Sequence, residues 1–321
     1  MQVSISTLTI CHCAMTYYEF CHATDKMKQD MDDAHLYIIA KRKLPIMTLN
    51  SFNSDIVCMN VVAENNSSPI ELIIRASDNP EVFPSGFYSI KTASNLVGVP
   101  PEEKFHYFSL ASGYGDNEDG YNFDFHTNFD RLVHLAHHGL FNIKINGDIK
   151  PFITYEVLYV GQCAKQHITK RFKIHHAISL IMGNETIVPK DHDKNEEIII
   201  IPFKVNSIEM TSITSNSSKD DICKVIKASR GTVVASDNDY VRDCEKALIR
   251  ALNPKYNEKK FLNYPRSEDG LYKYDFDSIG YVIDEDIILS YNGLNKIYGG
   301  SMGKSIILVK DNEDFSIVHI I

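Results

Sequence analysis

From His35 onward the chain is a succession of short apolar runs separated by stretches rich in Asn, Ser, Pro and Gly, the pattern of strands joined by turns. The first predicted strands are 35–42, 55–63, 70–76 and 88–91. Helical spacing first emerges at Asn128–His138, where Phe129, Leu132, Val133, Leu135 and Ala136 form one stripe. A hairpin is predicted next, with 141–145 and 152–160 as its strands and Asn146-Gly147 near its turn. The second strand is the densest apolar run of this region, Val157-Leu158-Tyr159-Val160, and Gly161 stops it. A helix over about 168–182, a strand over 197–205 and a helix over about 238–252 follow, the last ended by Asn253-Pro254. Beyond Tyr264-Pro265 the strand pattern returns at 272–276, 279–283, 287–291, 305–310 and 315–321, with Asn292-Gly293 as a turn. Residues 1–34 carry no clear period and read as a loosely packed arm.

This order implies an α+β fold with four regions. They are the arm (1–34), a β-rich region (35–138), a compact module of small mixed sheet and helices (139–265) and a β-rich end (266–321). The terminal strands are expected to pack with those of 35–138, leaving the module inserted in, or attached to, one β-rich body. A chain of 321 residues has room for two domains, and 44% apolar with 23% charged residues is globular composition. Tryptophan is absent, so 17 tyrosines and 16 phenylalanines supply the aromatic filling. No apolar run approaches the ~20 residues of a membrane helix, and no Lys or Arg precedes Lys26, which argues against a secretory leader. The expectation is a cytoplasmic protein without a membrane partner, its assembly state open.

Seven cysteines without framework spacing suit a reducing compartment. Cys11, Cys13 and Cys21, interleaved with His12 and His22, match no zinc pattern and read as thiols on and around a short buried helix. His134 and His138 have a metal-compatible i, i+4 spacing but no acidic partner on their helix. The acidic loop 112–124 lacks the alternation of a calcium loop. Gly299–Ser305 ends in Gly-Lys-Ser like a phosphate loop, yet a strand follows where a helix is required, so it reads as a turn. The formal charge of −9 argues weakly against nucleic acid. Basic residues nevertheless cluster at Lys165, Lys170, Arg171 and Lys173, and again between Lys246 and Arg266.

Chemistry concentrates around Tyr155–Ala177. A tyrosine (Tyr159), a glycine turn (Gly161), an arginine (Arg171) and a histidine (His175) converge on one end of a strand–loop–helix unit. Arg171 is cationic at any working pH and presents a planar fork suited to phosphate. On the later helix Glu245 falls on the stripe Val241, Leu248, Ile249 and Leu252, whereas Arg242, Asp243, Lys246 and Arg250 face elsewhere. A carboxylate on an apolar face is costly unless paired or bound to a cation. Glu245 is therefore the candidate ligand for a hard divalent metal, Mg²⁺ or Mn²⁺.

Tyr159-Val160-Gly161-Gln162, Arg171 and His175, then Glu245 and Asn257, resemble the GIY-YIG nuclease superfamily, over residues 139–265. The resemblance implies metal-dependent hydrolysis of phosphodiester bonds in DNA, with RNA an open alternative and restriction or defence as a setting. In that scheme Tyr159 activates or orients the attacking water, its phenol acidified by Lys165, Lys170 or the metal. Arg171 offsets developing charge, His175 shares a proton or touches phosphate, and the metal on Glu245 stabilises the leaving oxygen. Asn257 positions a phosphate or a side chain, and Gly161, Gln162, Lys165, Lys170 and Lys173 line the substrate. The first family triplet is not matched: Gly139-Leu140-Phe141 is its nearest equivalent, Tyr155 shares an expected strand face with Tyr159, and one tyrosine stays unassigned. A catalytically inactive nucleic-acid-binding or protein-interaction module is the rival expectation.

Overall fold

The structure is a computed structural model and describes residues 2–63, 68–94, 100, 102–115, 120–163, 167–172, 176–186, 196–211, 235–267, 269–274, 276–301 and 303–320. The chain forms two compact units. One comprises Met1–Lys41, Tyr155–Val188 and Ile198–Ile321; the other comprises Arg42–Thr154 with Pro189–Glu197.

The chain opens with β1 (Gln2–Ile10), β2 (Met15–Thr16), α1 (Tyr17–Cys21), α2 (Asp25–Met31) and β3 (Leu36–Lys43). Then come β4 (Ile46–Phe52), β5 (Ile56–Val62), β6 (Ile70–Arg75), β7 (Ser89–Ala93), β8 (Tyr107–Ala111), β9 (Gly113–Tyr114), β10 (Tyr121–Asn122), β11 (Phe125–Asn128), α3 (Phe129–His137) and β12 (Ile143–Asn146). Returning to the first unit, β13 (Thr154–Gln162), α4 (Ile168–Phe172), α5 (His176–Thr186), β14 (Glu196–Thr211) and α6 (Asp237–Leu252) follow. The chain ends with β15 (Ser278–Ile283), β16 (Ile288–Tyr291), β17 (Leu294–Tyr298), β18 (Lys304–Lys310) and β19 (Asp314–Ile320). The fold is mixed α/β and strand-rich.

The first unit is built on one large sheet in the order β17-β16-β13-β3-β14-β1-β15-β18-β19, with β2 against β14. Helices α1, α2, α4 and α5 cover one part of it: Phe20, Met31, Tyr37, Leu158, Ile168, Phe172 and Ile181 share a single buried cluster. Caps fix the helix starts. Thr16 and Glu19 form a reciprocal capping box on α1, and Ser236 and Asp239 do the same on α6. Asn253, left-handed at φ 49°, ends α6 ahead of Pro254.

Three expectations change here. Residues 2–10 are not a loose arm: β1 pairs antiparallel with β14 and parallel with β15. Its inward positions include Ser4 and Ser6, both fully buried, so the apolar alternation that marks a strand is blunted. Second, 141–145 and 152–160 do not form a hairpin, because β12 pairs with β6 whereas β13 pairs with β3. Third, among the described residues the terminal strands do not pair with the strands of 35–138. β15 pairs with β1 and β18 with β15 and β19, so they complete the sheet that carries β13. The insertion in the sequence is therefore Arg42–Thr154, not 139–265. Glu156 lies opposite Lys41 in the β3–β13 pairing, so the chain leaves and re-enters this sheet at neighbouring points. The predicted strand at 272–276 contains a short 3₁₀ turn, Tyr272–Tyr274, while Asn292-Gly293 turns between β16 and β17 with positive φ at both residues.

The second unit contains an antiparallel sheet β12-β6-β5-β4, a three-stranded sheet β11-β8-β7 and the small pair β10-β9. Phenylalanine does the work of the missing tryptophan: Phe83 meets Phe87, Phe125 and Phe141 at ring-centroid distances of 4.7, 5.6 and 6.3 Å. A buried Arg42 donates to Asp130, to Glu197 and to the Phe152 carbonyl. Among the described residues no helix is long and apolar enough to cross a membrane.

Candidate active site

The C-terminal end of β13 is held from both edges. On one side Gly161 pairs with Tyr37 of β3 and Tyr159 with Ile39. On the other, the segment after α6 takes over. The Tyr256 N–H donates to the Leu158 carbonyl at 3.0 Å. The Asn257 amide accepts from the Val160 N–H at 2.9 Å and donates to the Val160 carbonyl at 2.8 Å. Asn257 thus clamps the backbone between Tyr159 and Gly161 with both ends of its side chain.

A register shift between Val157 and Tyr159 makes Leu158 an extra residue. Such a bulge reverses side-chain parity. Tyr155, deeply buried, therefore points to the face opposite Tyr159 and is not its companion. Phe141 is no companion either, for it is packed among Phe83 and Phe125 in the second unit. The aromatic partner of Tyr159 is Tyr37: their rings stack at 6.0 Å between centroids with 30° between planes. Gly161 makes this approach feasible. A Cβ there would stand 2.6 Å from the Tyr37 hydroxyl and 2.7 Å from Cε1 of Tyr159, so a glycine is required for both rings to lie against the strand.

Arg171 arrives from α4. Ile168 and Phe172, one turn apart and buried, anchor that helix, and Phe172 packs edge-on against Tyr37 at 4.7 Å. Arg171 is half-buried, and its Nε is buried without a hydrogen-bond partner among the described residues. Lys170 on the same helix is exposed. Glu245 arrives from α6 and is half-buried; one carboxylate oxygen accepts from Gln162 Nε2 at 2.8 Å. Gln162, expected on the substrate, therefore serves the carboxylate. Lys165, Lys173 and His175 lie outside the described residues.

The electrostatics follow mainly from burial. Burial pushes the Glu245 carboxyl up to about 7, against the pull of Arg171, Gln162 and Lys246. Burial likewise raises the Tyr159 phenol, helped by the Glu245 charge, while Tyr37 and Arg171 act the other way. Tyr37, fully buried, is raised by burial and by Tyr159, with Arg171 opposing. Among the described residues burial outweighs the neighbouring cation, and both phenols keep their protons at neutral pH. Burial also holds the Cys163 thiol up at about 12, and its Sγ donates to the Ala34 carbonyl, so it is no nucleophile.

The α6 surroundings bear on two further expectations. Asp243 and Lys246, placed off the apolar stripe by their spacing, are themselves buried, since α6 is buried on most sides. Asp243 accepts from the hydroxyls of Tyr264 and Tyr281 and from the Leu271 N–H. Lys246 is used by Ser267 and Asp269. The expected basic stretch is largely neutralised: Lys255 pairs with Glu185 and Arg266 with Glu313.

Comparison with known proteins gives no match, whether to a family model, a curated protein or a solved structure. The geometry therefore carries the functional argument alone. Tyr37 is the residue the sequence reading missed. Its strand was legible, and Leu36-Tyr37 is an apolar–tyrosine pair, but the inserted unit separates it from Tyr159 by far more than a hairpin.

Proposed function

We propose that the first unit is a divalent-metal-dependent endonuclease of the GIY-YIG type that hydrolyses phosphodiester bonds in DNA. The observation that carries this reading is the meeting of Tyr37, Tyr159, Arg171 and Glu245 from four separate elements around Gly161. Tyr37 takes the place of the first-motif tyrosine, and β3 that of its strand. The orphaned Nε of Arg171 is a further support, because a half-buried guanidinium with an unused donor suits an anion.

The residues fit a hard cation. Glu245 offers a carboxylate oxygen beyond the one held by Gln162, and its raised pKa marks a negative charge short of positive company. Mg²⁺ or Mn²⁺ held there would supply Lewis-acid stabilisation of a phosphate oxygen. The two protonated phenols orient a water for attack on phosphorus. Arg171 donates to the non-bridging oxygens as charge builds on them. Gln162 keeps the carboxylate turned to the pocket, and Asn257 keeps Tyr159 and Gly161 in register.

Incubating the protein with plasmid DNA and Mg²⁺ tests the proposal. Cleavage is expected, lost in Glu245→Ala and Arg171→Ala and lowered ~10²–10³-fold in Tyr37→Phe. Salt-sensitive DNA binding without cleavage would instead support a non-catalytic module, and cleavage unaffected by Arg171→Ala would overturn the assignment of the site.

A further inference from the structure

The Asn257 clamp belongs to a segment with no helix or strand of its own. Asn253 turns the chain out of α6, and the Tyr256 N–H and the Asn257 side chain then meet the backbone of β13. Side chains hold this segment, and two of them end on one residue, Glu185. Its carboxylate Oε1 accepts from the Tyr256 hydroxyl at 2.6 Å and from Lys255 Nζ at 2.9 Å. Its Oε2 lies 3.7 Å from Lys41 Nζ, and the same ammonium lies 3.6 Å from Glu156 Oε2. Lys41 and Glu156 stand opposite each other on β3 and β13, so the carboxylate is tied to the two strands that carry Tyr37 and Tyr159. Lys255 Nζ also lies 4.9 Å from the centroid of the Tyr256 ring.

Local preference does not put an acid here. Ile178 and Ile181 bury α5 in the apolar cluster, and Glu185 follows at i+7 and i+4, in the last turn, where a carboxylate opposes the helix dipole. Its side chain is 13% exposed, so this is not a solvated surface pair of little worth. Burial alone would raise its carboxyl; Tyr256, Lys255 and Lys41 outweigh it and hold the group below the usual range. We propose that Glu185 is a positioning residue for cleavage at the Tyr159 site, holding residues 255–257 so that Asn257 keeps the backbone of Tyr159 and Gly161 in place. This rests on the nuclease reading above and adds to it a residue that acts through Tyr256 and Asn257 rather than on the substrate. Glu185 therefore sets how fast bound DNA is cut, not how tightly it is bound. A shift of about 1 Å in a reacting group is enough to slow such a step about 10²-fold.

Glu185→Ala, Glu185→Gln and Tyr256→Phe in the full chain test this, with plasmid cleavage in Mg²⁺ and amide exchange as the readouts. Glu185→Ala is expected to lower kcat about 10²-fold with KM within about 3-fold of wild type. Glu185→Gln keeps an acceptor for the Tyr256 hydroxyl and should recover most of the loss, whereas Tyr256→Phe should repeat part of it. In Glu185→Ala the Val160 and Tyr256 amides should exchange at least ~10-fold faster, while amides of the β1–β14 pairing keep wild-type rates. That contrast separates a loosened clamp from an unfolded unit. Wild-type exchange at Val160 and Tyr256, a KM that rises with kcat unchanged, or equal losses in the Ala and Gln variants would overturn the role of Glu185 and leave the nuclease reading standing. A wild type that cuts no DNA would overturn that reading, and this role with it.

Discussion

Glu245→Gln should make the metal-free protein more stable at alkaline pH and leave it nearly unchanged at acid pH. The Glu245 carboxyl rises from 4.5 to about 7 on folding. A raised acid holds its proton more tightly in the folded state, so its ionisation opposes folding. That opposition is absent well below 4.5, grows as the pH climbs toward 7 and is complete above it. The shift of ~2.5 units corresponds to at most ~3 kcal/mol, and partial solvent access reduces this to about 1–2 kcal/mol. Glutamine keeps an acceptor for Gln162 Nε2, so the substitution removes charge and little else. Urea unfolding of both proteins in chelator at pH 5 and pH 8.5 reads the difference. The variant should lead by about 1–2 kcal/mol at the higher pH and by a few tenths at the lower. Saturating Mg²⁺ should raise the stability of the wild type but not of the variant. A gap equal at both pH values would refute the electrostatic reasoning.

Three other substitutions probe how the pocket is held. Gly161→Ala, whose Cβ would meet both tyrosine rings, should cost ~1–3 kcal/mol and change the near-ultraviolet dichroism of the phenols. Asn257→Ala leaves the Val160 N–H and carbonyl without their buried partner, so a loss of ~2–4 kcal/mol in urea unfolding is expected, together with loss of cleavage. In the second unit, Arg42→Ala strands Asp130 and Glu197 and should lower stability by ~3–5 kcal/mol; replacing Arg42 by Lys should recover only part of this, because one ammonium cannot reproduce the forked contacts. Thermal unfolding that leaves any of these at wild-type stability would show that the corresponding contact is not made in solution.

The elements themselves were legible wherever a side-chain period was strong. Strand β3, strand β14 and helix α6 all lie where β-branched runs or an amphipathic stripe announced them, and so does the Gly299–Ser305 turn ahead of β18. What escaped was non-local or parity-dependent. The bulge at Leu158 leaves no mark in an apolar run, yet it decides that Tyr155 turns away from Tyr159. Buried serines hid β1, because the hydroxyl of Ser6 is satisfied by Ser207 on the neighbouring strand, a pairing visible only after folding. The burial of Asp243 and Lys246 escaped the helical-face argument for the same reason: their partners come from 264–281, beyond the helix. Arg171 and Glu245 could be proposed from residue type alone, whereas Tyr37 could be found only once β3 was known to pair with β13.

That pairing also shows how the proposed site would tolerate so large an interruption. Closing a loop costs entropy that grows only with the logarithm of its length, so a long segment between paired strands is thermodynamically mild if it folds by itself. Residues 42–154 have their own phenylalanine core and their own buried ion cluster, as an autonomous insertion requires. The geometry that matters to Tyr37 and Tyr159 is set within the first unit, by the Tyr37–Gly161 register, the Asn257 clamp and the packing of Phe172. A pattern that demands two tyrosine triplets close together in sequence tests the length of a connection. The proposed chemistry would depend instead on the strand register, which a hairpin and an inserted domain can satisfy equally well.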